Sequence, residues 1–434
     1  MLRLYGPGRE RPARQHVFGF LERYGRRQKW FKRLILVATV TTVVGLVAAV
    51  PKGRYLARAA TDRARLLAWQ AVGVPPGRKD IDAEWSRFRQ QGIADACRGF
   101  EKVYPEIDPA VRKLMVYAGN DPRTGLLRWG NFHQTLLLPS TVFEPDDHGR
   151  AYRLRPRTRS VWLRNVSVRK IPLTFFLVPD GPGLSDAIDG TTAILVEGST
   201  QTTNSWGLRG PEPELTAPVR GIVLGDSFMQ GMFLGDDQTP PECLRRFVQK
   251  ELKTGVSILN TGLLGYSTEQ EYHTLREYAE RFRPQFVVLS LFANDFGDIY
   301  EGLGGRGDWE EGKYWLGEIA QYCGSRGILL VTATAPLEMQ ITGRRFAGFY
   351  PGLISNLLEA AGTQHVDPIE EFVDLHLRLM IDGEGAGRRP TTSPLFNGAI
   401  GDQHFSAIGS GAWARAVCRR LVPLLEKQTM DRSS

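Results

Sequence analysis

At 434 residues, 42% hydrophobic and 24% charged, the chain is long enough for two or three folded units and has neither the polarity of a disordered chain nor the bias of a fibrous one. Its net charge of +8 would suggest nucleic acid, but residues 1–67 alone hold 15 Lys and Arg against 3 Asp and Glu, leaving 40 basic and 44 acidic residues for the rest. A slightly acidic body argues against a nucleic-acid partner. Four scattered cysteines (Cys97, Cys243, Cys323, Cys418) without a Cys-x-x-Cys pair argue against a metal site.

In chain order, residues 1–33 form a basic lead and residues 34–50 an uncharged apolar run, Leu34 to Val50, with Trp30 and Phe31 as an interfacial shoulder. Such a run can roughly cross a bilayer. Ten basic residues precede it and five follow within a short span, so the charge bias places the N-terminus in the cytoplasm and the remainder outside it. The expectation is a single-pass membrane anchor; a cleaved signal peptide, cut near Val47-Ala48-Ala49, is the second reading. Either puts the body of the chain in an extracytoplasmic space.

Residues 51–123 carry apolar positions at helical spacing (Trp85, Phe88, Ile93, Cys97, Phe100) and read as a stalk or packing region. Over 124–215 the texture changes to short β-type runs broken by Gly, Pro and Asp, with strands predicted at Ser160–Arg164, Leu173–Val178 and Ala193–Val196, a small β-rich module.

From residue 219 to 426 strands alternate with helices, which predicts a three-layer α/β/α sandwich with a mostly parallel sheet; residues 427–434 are a tail. Ile222-Val223-Leu224 is a buried strand that stops at Gly225-Asp226-Ser227, and a helix follows over Thr239–Leu252. Ser227 therefore sits at a strand-to-helix turn on the carboxyl edge of the sheet, where a nucleophile would be exposed to ligand. A second strand, Val256–Leu259, opens into Asn260-Thr261-Gly262-Leu263-Leu264-Gly265-Tyr266 and then a helix over Thr268–Phe282. In that helix Tyr272, Leu275, Tyr278 and Ala279 form the apolar stripe, and His273, off it, reads as a surface residue. A third strand, Phe286–Phe292, ends in Ala293-Asn294-Asp295. Ile328–Thr334 and the entry Gln364–Asp367 supply a fourth and a fifth, and Asp402-Gln403-His404 leads into a helix over Trp413–Leu425.

These four stretches, in this order, resemble the SGNH (GDSL) hydrolase superfamily over about residues 219 to 426. The resemblance implies a flavodoxin-like sheet, Ser227 as nucleophile and His404 as its general base. It also implies an oxyanion hole made by the N–H groups of Ser227 and Gly265 and the Asn294 amide. Two positions depart from the family: Ala293 stands where glycine is usual, and Gly401 stands three residues before the histidine where the acid belongs. Asp402 is the nearest replacement and is assigned to orient the imidazole. The stretch Thr203–Glu212 resembles a lead-in found in membrane-anchored bacterial members, in which Trp206 and Arg209 either border the site or hold a structural turn.

The activity implied is an extracytoplasmic, membrane-anchored serine esterase acting on an acyl ester or acylated carbohydrate. An O-acyltransferase acting on a cell-envelope or exported polysaccharide and a non-catalytic envelope or glycan-binding protein are the alternatives. No cofactor is expected. Gly302–Gly307 matches the dinucleotide fingerprint only literally, because it lacks the strand directly before it and the acidic partner beyond. Residues 382–401, rich in Gly, Arg, Pro, Thr and Ser, form a long loop before His404. Cys243 and Cys418 lie on helices that could share a face of the sheet; a disulfide between them stays open beside the default of buried thiols.

Overall fold

The computed structural model describes residues 78–129, 135–166, 177–292, 295, 306–342, 358, 363–382, 392–397 and 404–433. The expected anchor at 34–50, and with it Asn294 and Asp402, lies outside the described residues. No helix among those described is long and apolar enough to cross a membrane.

Two helices come first, α1 (Arg78–Val103) and α2 (Pro109–Ala118). The start of α2 follows from local chemistry: the Asp108 carboxylate accepts the Ala110 N–H at 2.8 Å and Pro109 presets the first turn. Short antiparallel strands then pair as hairpins, β1 (Leu126–Trp129) with β2 (Thr135–Leu138), and β3 (Phe143–Asp146) with β4 (Ala151–Leu154). Strand β5 (Arg159–Arg164) pairs with β6 (Leu177–Pro179) and, past the short helix α3 (Leu184–Ile188), with β7 (Ile194–Leu195) and β8 (Gln201–Thr202). The predicted strands at 160–164 and 193–196 correspond to β5 and β7. Of the one at 173–178 only its end is described, in β6.

The antiparallel part has small apolar clusters of its own, such as Val161, Leu163 and Val178 with Leu114 and Leu184, and shares a larger one with the parallel-sheet region. Leu136, Leu138, Phe143, Tyr152 and Trp162 are buried in one cluster with Met232, Phe233, Leu263, Leu264 and Tyr266, which belong to loops of the parallel-sheet region. Phenol hydroxyls tie the same seam: Tyr152 donates to the Leu264 carbonyl at 2.5 Å, and Tyr266 donates to the Tyr152 carbonyl at 2.6 Å.

The parallel region runs β9 (Val219–Leu224), α4 (Ser227–Gln230), α5 (Pro240–Leu252), β10 (Val256–Asn260), α6 (Thr268–Phe282), β11 (Phe286–Leu291), α7 (Arg306–Ser325), β12 (Leu329–Thr334), α8 (Glu338–Ile341), β13 (Gln364–Val366), α9 (Ile369–Asp382) and α10 (Ala407–Ser433). All five strands are parallel, in the order β10-β9-β11-β12-β13. This is the flavodoxin-like order that the sequence implied. The runs Ile222–Leu224 and Phe286–Leu291 are buried at every position because a parallel sheet is covered on both faces. Val223, Phe286, Val288, Val331 and Ala333 face the layer that holds α5, α9 and α10. Their alternates, such as Ile222 and Val287, turn by the strand period toward α6 and α7, which pack on β9 and β12. Helix α10 is longer than the 413–425 span that the sequence predicts and continues through Pro423. His273, expected at the surface, is half-buried, its ring against Gly149 and beside Trp315. The four cysteines carry free thiols.

Candidate active site

The site begins where β9 stops. Gly225 lets the chain turn tightly, since a Cβ there would stand 2.5 Å from the Met229 side chain. Asp226 caps the one-turn helix α4, its carboxylate accepting the Phe228 N–H at 2.9 Å, and Gly231, at φ +78°, ends it. Ser227 thus occupies the first position of a helix, with its N–H at the positive end of the turn. It stands at the carboxyl edge of β9, beside β11, where the strand order reverses, which is the ligand-binding crevice of a doubly wound sheet.

His404 comes to it from the far end of the chain. Its Nε2 lies 2.7 Å from Ser227 Oγ, so the imidazole, with its proton on Nδ1, can accept the hydroxyl proton. Two supports fix the ring. The Phe228 ring lies against it at 4.7 Å between centroids. Asn397 holds its backbone: the Asn397 N–H donates to the His404 carbonyl at 2.9 Å, and its amide donates to the carbonyls of Phe405 at 2.8 Å and Met232 at 3.1 Å. Asn397 is a residue that sequence reasoning missed. The only pointer was its place in the segment before the histidine.

The loop after β10 leans on the same turn. Thr261 donates its N–H and hydroxyl to the Val223 carbonyl, Leu263 N–H bonds Gly225, and Leu264 N–H reaches the Gln230 side chain at 2.8 Å. Gly265, at φ +77°, has an N–H that meets no acceptor among the described residues, as an oxyanion donor requires. Gly262, also missed, is where the loop touches α4; a Cβ there would stand 2.5 Å from the Gln230 nitrogen. The structure brings Ser227, His404 and the Gly262–Tyr266 loop together.

Trp206 belongs to a structural turn, as one of the two sequence readings had it: its ring stacks on Tyr278 at 5.9 Å and carries the Arg281 guanidinium at 3.7 Å. Asp146, His148 and Glu277 have donor atoms close enough to hold a cation. Arg150 already sits among them, donating Nε and Nη2 to Asp146 at 2.9 and 2.8 Å and pairing with Glu277, so the positive charge there is its guanidinium.

No protein-family model matches the chain, and no curated protein matches its sequence. Among solved structures, a variant of the acetylxylan esterase Axe2 from Geobacillus stearothermophilus aligns at 17% identity and a TM-score of 0.35, over 47% of this chain and 94% of its own. The acetyl xylan esterase AlAXEase aligns at 18% identity and a TM-score of 0.35, over 47% of this chain and 100% of its own. A G-D-S-L family protein from Desulfitobacterium hafniense aligns at 15% and 0.33, over 47% and 99%. Likenesses this distant carry no argument about activity.

Behind Ser227 lies a buried group of acids. Asp295 accepts the Phe292 N–H at 2.7 Å and so closes the turn that follows β11. Burial, with the Asp226 charge second, holds its carboxyl well above the usual range. Glu271 is 1% exposed, and neither of its carboxyl oxygens has a hydrogen-bond partner among the described residues. Burial and then the charges of Asp295 and Asp226 raise it well above the usual range. A carboxyl raised on folding binds its proton more tightly in the folded state, so its contribution to stability is present below the unfolded value and is lost as pH rises. Glu271→Gln is therefore expected to raise Tm most at pH 8 to 9 and hardly at pH 4. A gain on the order of 1 kcal/mol corresponds to about 2–4 °C. Thermal unfolding of the two proteins across that range checks it, and a Tm difference independent of pH would contradict the assignment.

Proposed function

We propose that this protein is a serine esterase of the SGNH hydrolase type, acting on O-acyl esters, acylated carbohydrates among them. The observation that carries the proposal is the 2.7 Å approach of His404 Nε2 to Ser227 Oγ at the switch point of a parallel sheet. A serine hydroxyl is a weak nucleophile until a base takes its proton, and this pair supplies both. Ser227 Oγ attacks the ester carbonyl while His404 takes the hydroxyl proton. The oxyanion is held by the N–H groups of Ser227 and Gly265, with the Asn294 amide as the third donor. His404 returns the proton to the departing alkoxide, which leaves an acyl ester on Ser227. Water, deprotonated by the same imidazole, then frees the acid and restores the hydroxyl. Asp402, two residues before His404, is proposed to keep the Nδ1 proton in place. The uncharged run Leu34–Val50 and its basic lead are proposed to anchor the chain, with the site on the extracytoplasmic side.

One experiment tests both halves. A fluorophosphonate probe applied to cells making the full chain should leave its adduct on the Ser227 peptide and none in Ser227→Ala. The labelled chain should stay in the membrane pellet after an alkaline wash. A folded chain that takes no label would defeat the esterase reading, and label recovered in the wash would defeat the anchor.

A further inference from the structure

Arg209 is 2% exposed and makes four guanidinium hydrogen bonds in the region around Ser227. Helix α4 is one turn long, and the N–H groups of Gln230, Gly231 and Met232 answer its first carbonyls, those of Asp226, Ser227 and Phe228. Three of the carbonyls that follow accept from one side chain. Arg209 Nη1 donates to Gln230 O at 2.5 Å and to Gly231 O at 2.7 Å, and Nη2 donates to Leu234 O at 2.6 Å. Its Nε donates to Asp236 at 2.9 Å. That carboxylate is fixed in turn by the Thr202 N–H at 3.0 Å and the Thr202 hydroxyl at 2.5 Å. The backbone of Arg209 is committed as well, bridging antiparallel to Thr203 on one side and to Asn260, the last residue of β10, on the other.

We propose that Arg209 is a positioning residue for acyl transfer, locking the nucleophile turn and the root of the Gly262–Tyr266 loop in one fixed relation. The inference rests on the reading of Ser227 as the nucleophile. A planar fork with five N–H donors can answer three carbonyls and a carboxylate at once, and a lysine ammonium in its place can reach only some of them. The turn would then be free to move by fractions of an ångström. Ser227 Oγ and the N–H groups that receive the oxyanion would shift relative to one another, an error felt in the transition state more than in substrate binding.

The test uses the purified full chain, with p-nitrophenyl acetate turnover, the rate of phosphonate inactivation and thermal unfolding measured on wild type, Arg209→Lys and Arg209→Ala. The expected result for both variants is a kcat lower by about 10- to 100-fold, with KM within about threefold and phosphonate inactivation slowed in step. In Arg209→Ala, guanidinium ion at tens of millimolar should restore kcat by about threefold or more in a saturable way and leave wild type unchanged. If the alanine variant does not fold, Arg209→Lys decides alone. A lysine variant that matches wild-type kcat per folded molecule, with only a lower Tm, would make Arg209 a purely structural residue and overturn the inference. A wild-type chain that takes no label at Ser227 would overturn the esterase reading, and this inference with it.

Discussion

Replacing His404 by alanine is expected to lower kcat for ester hydrolysis by about ten-thousand- to a million-fold, with KM little changed and the protein still folded. The size follows from what the imidazole does. Without a base 2.7 Å from its oxygen, Ser227 must attack as a neutral hydroxyl, and the leaving alkoxide has no acid to collect. At 1.36 kcal/mol per tenfold, the loss corresponds to about 5–8 kcal/mol of transition-state stabilisation. The two residues act as a unit, so adding Ser227→Ala to the variant should cost almost nothing more. Steady-state turnover of p-nitrophenyl acetate by the two single variants and the double variant, each checked for wild-type Tm, provides the measurement. Losses that multiply, or a kcat within tenfold of wild type for His404→Ala, would mean that turnover arises elsewhere.

Gly262→Ala should produce the second largest effect, and by a different route. Its new methyl would stand 2.5 Å from the Gln230 nitrogen and 2.6 Å from the Met229 carbonyl carbon. These are backbone atoms of the nucleophile turn and its end, with no rotamer to yield. Either α4 or the loop must move, at a cost of about 1–3 kcal/mol for overpacking. Because the atoms displaced carry Ser227, kcat is expected to fall about 100-fold, the scale of an ångström-sized misplacement. A crystal structure of the variant should show the Oγ to Nε2 distance lengthened beyond hydrogen-bond range. Wild-type kcat in this variant would show that the loop yields without the turn.

How far the sequence could be read depended on what determined each feature. Strands β10, β11 and β12 and helices α5 and α6 are legible within a residue or two because burial leaves apolar runs in the strands and because Thr239 and Ser267 cap their helices locally, whereas β9 starts three residues before the predicted Ile222 and the edge strand β13 is only half-buried. Ser227 is singled out by its strand-to-helix turn, and His404 is set beside it by the family resemblance. The strands β1 to β4 are not legible. They are four residues each, half-buried or less regular, and Ala151 enters β4 at positive φ. Asn397 escaped, and Arg209 was singled out without its partners, for another reason: they hydrogen-bond backbone carbonyls as far as 165 and 21 to 25 residues away, which carry no residue-type signal at the acceptor end. His273 misled because its burial comes from Gly149, an element that its own helical periodicity does not encode.

Ser227 and His404 are separated by 177 residues, and His404 precedes the helix that closes the fold, α10, packed on α5. A ribosome adding about 5–20 residues per second needs roughly 10 to 35 s to pass from the serine to the histidine. Throughout that interval the growing chain holds Ser227 without His404. Even afterwards the pair must wait for the closure of a long loop and the docking of the final helix. If the pair is catalytic as proposed, the topology alone delays assembly of the site until synthesis is nearly finished.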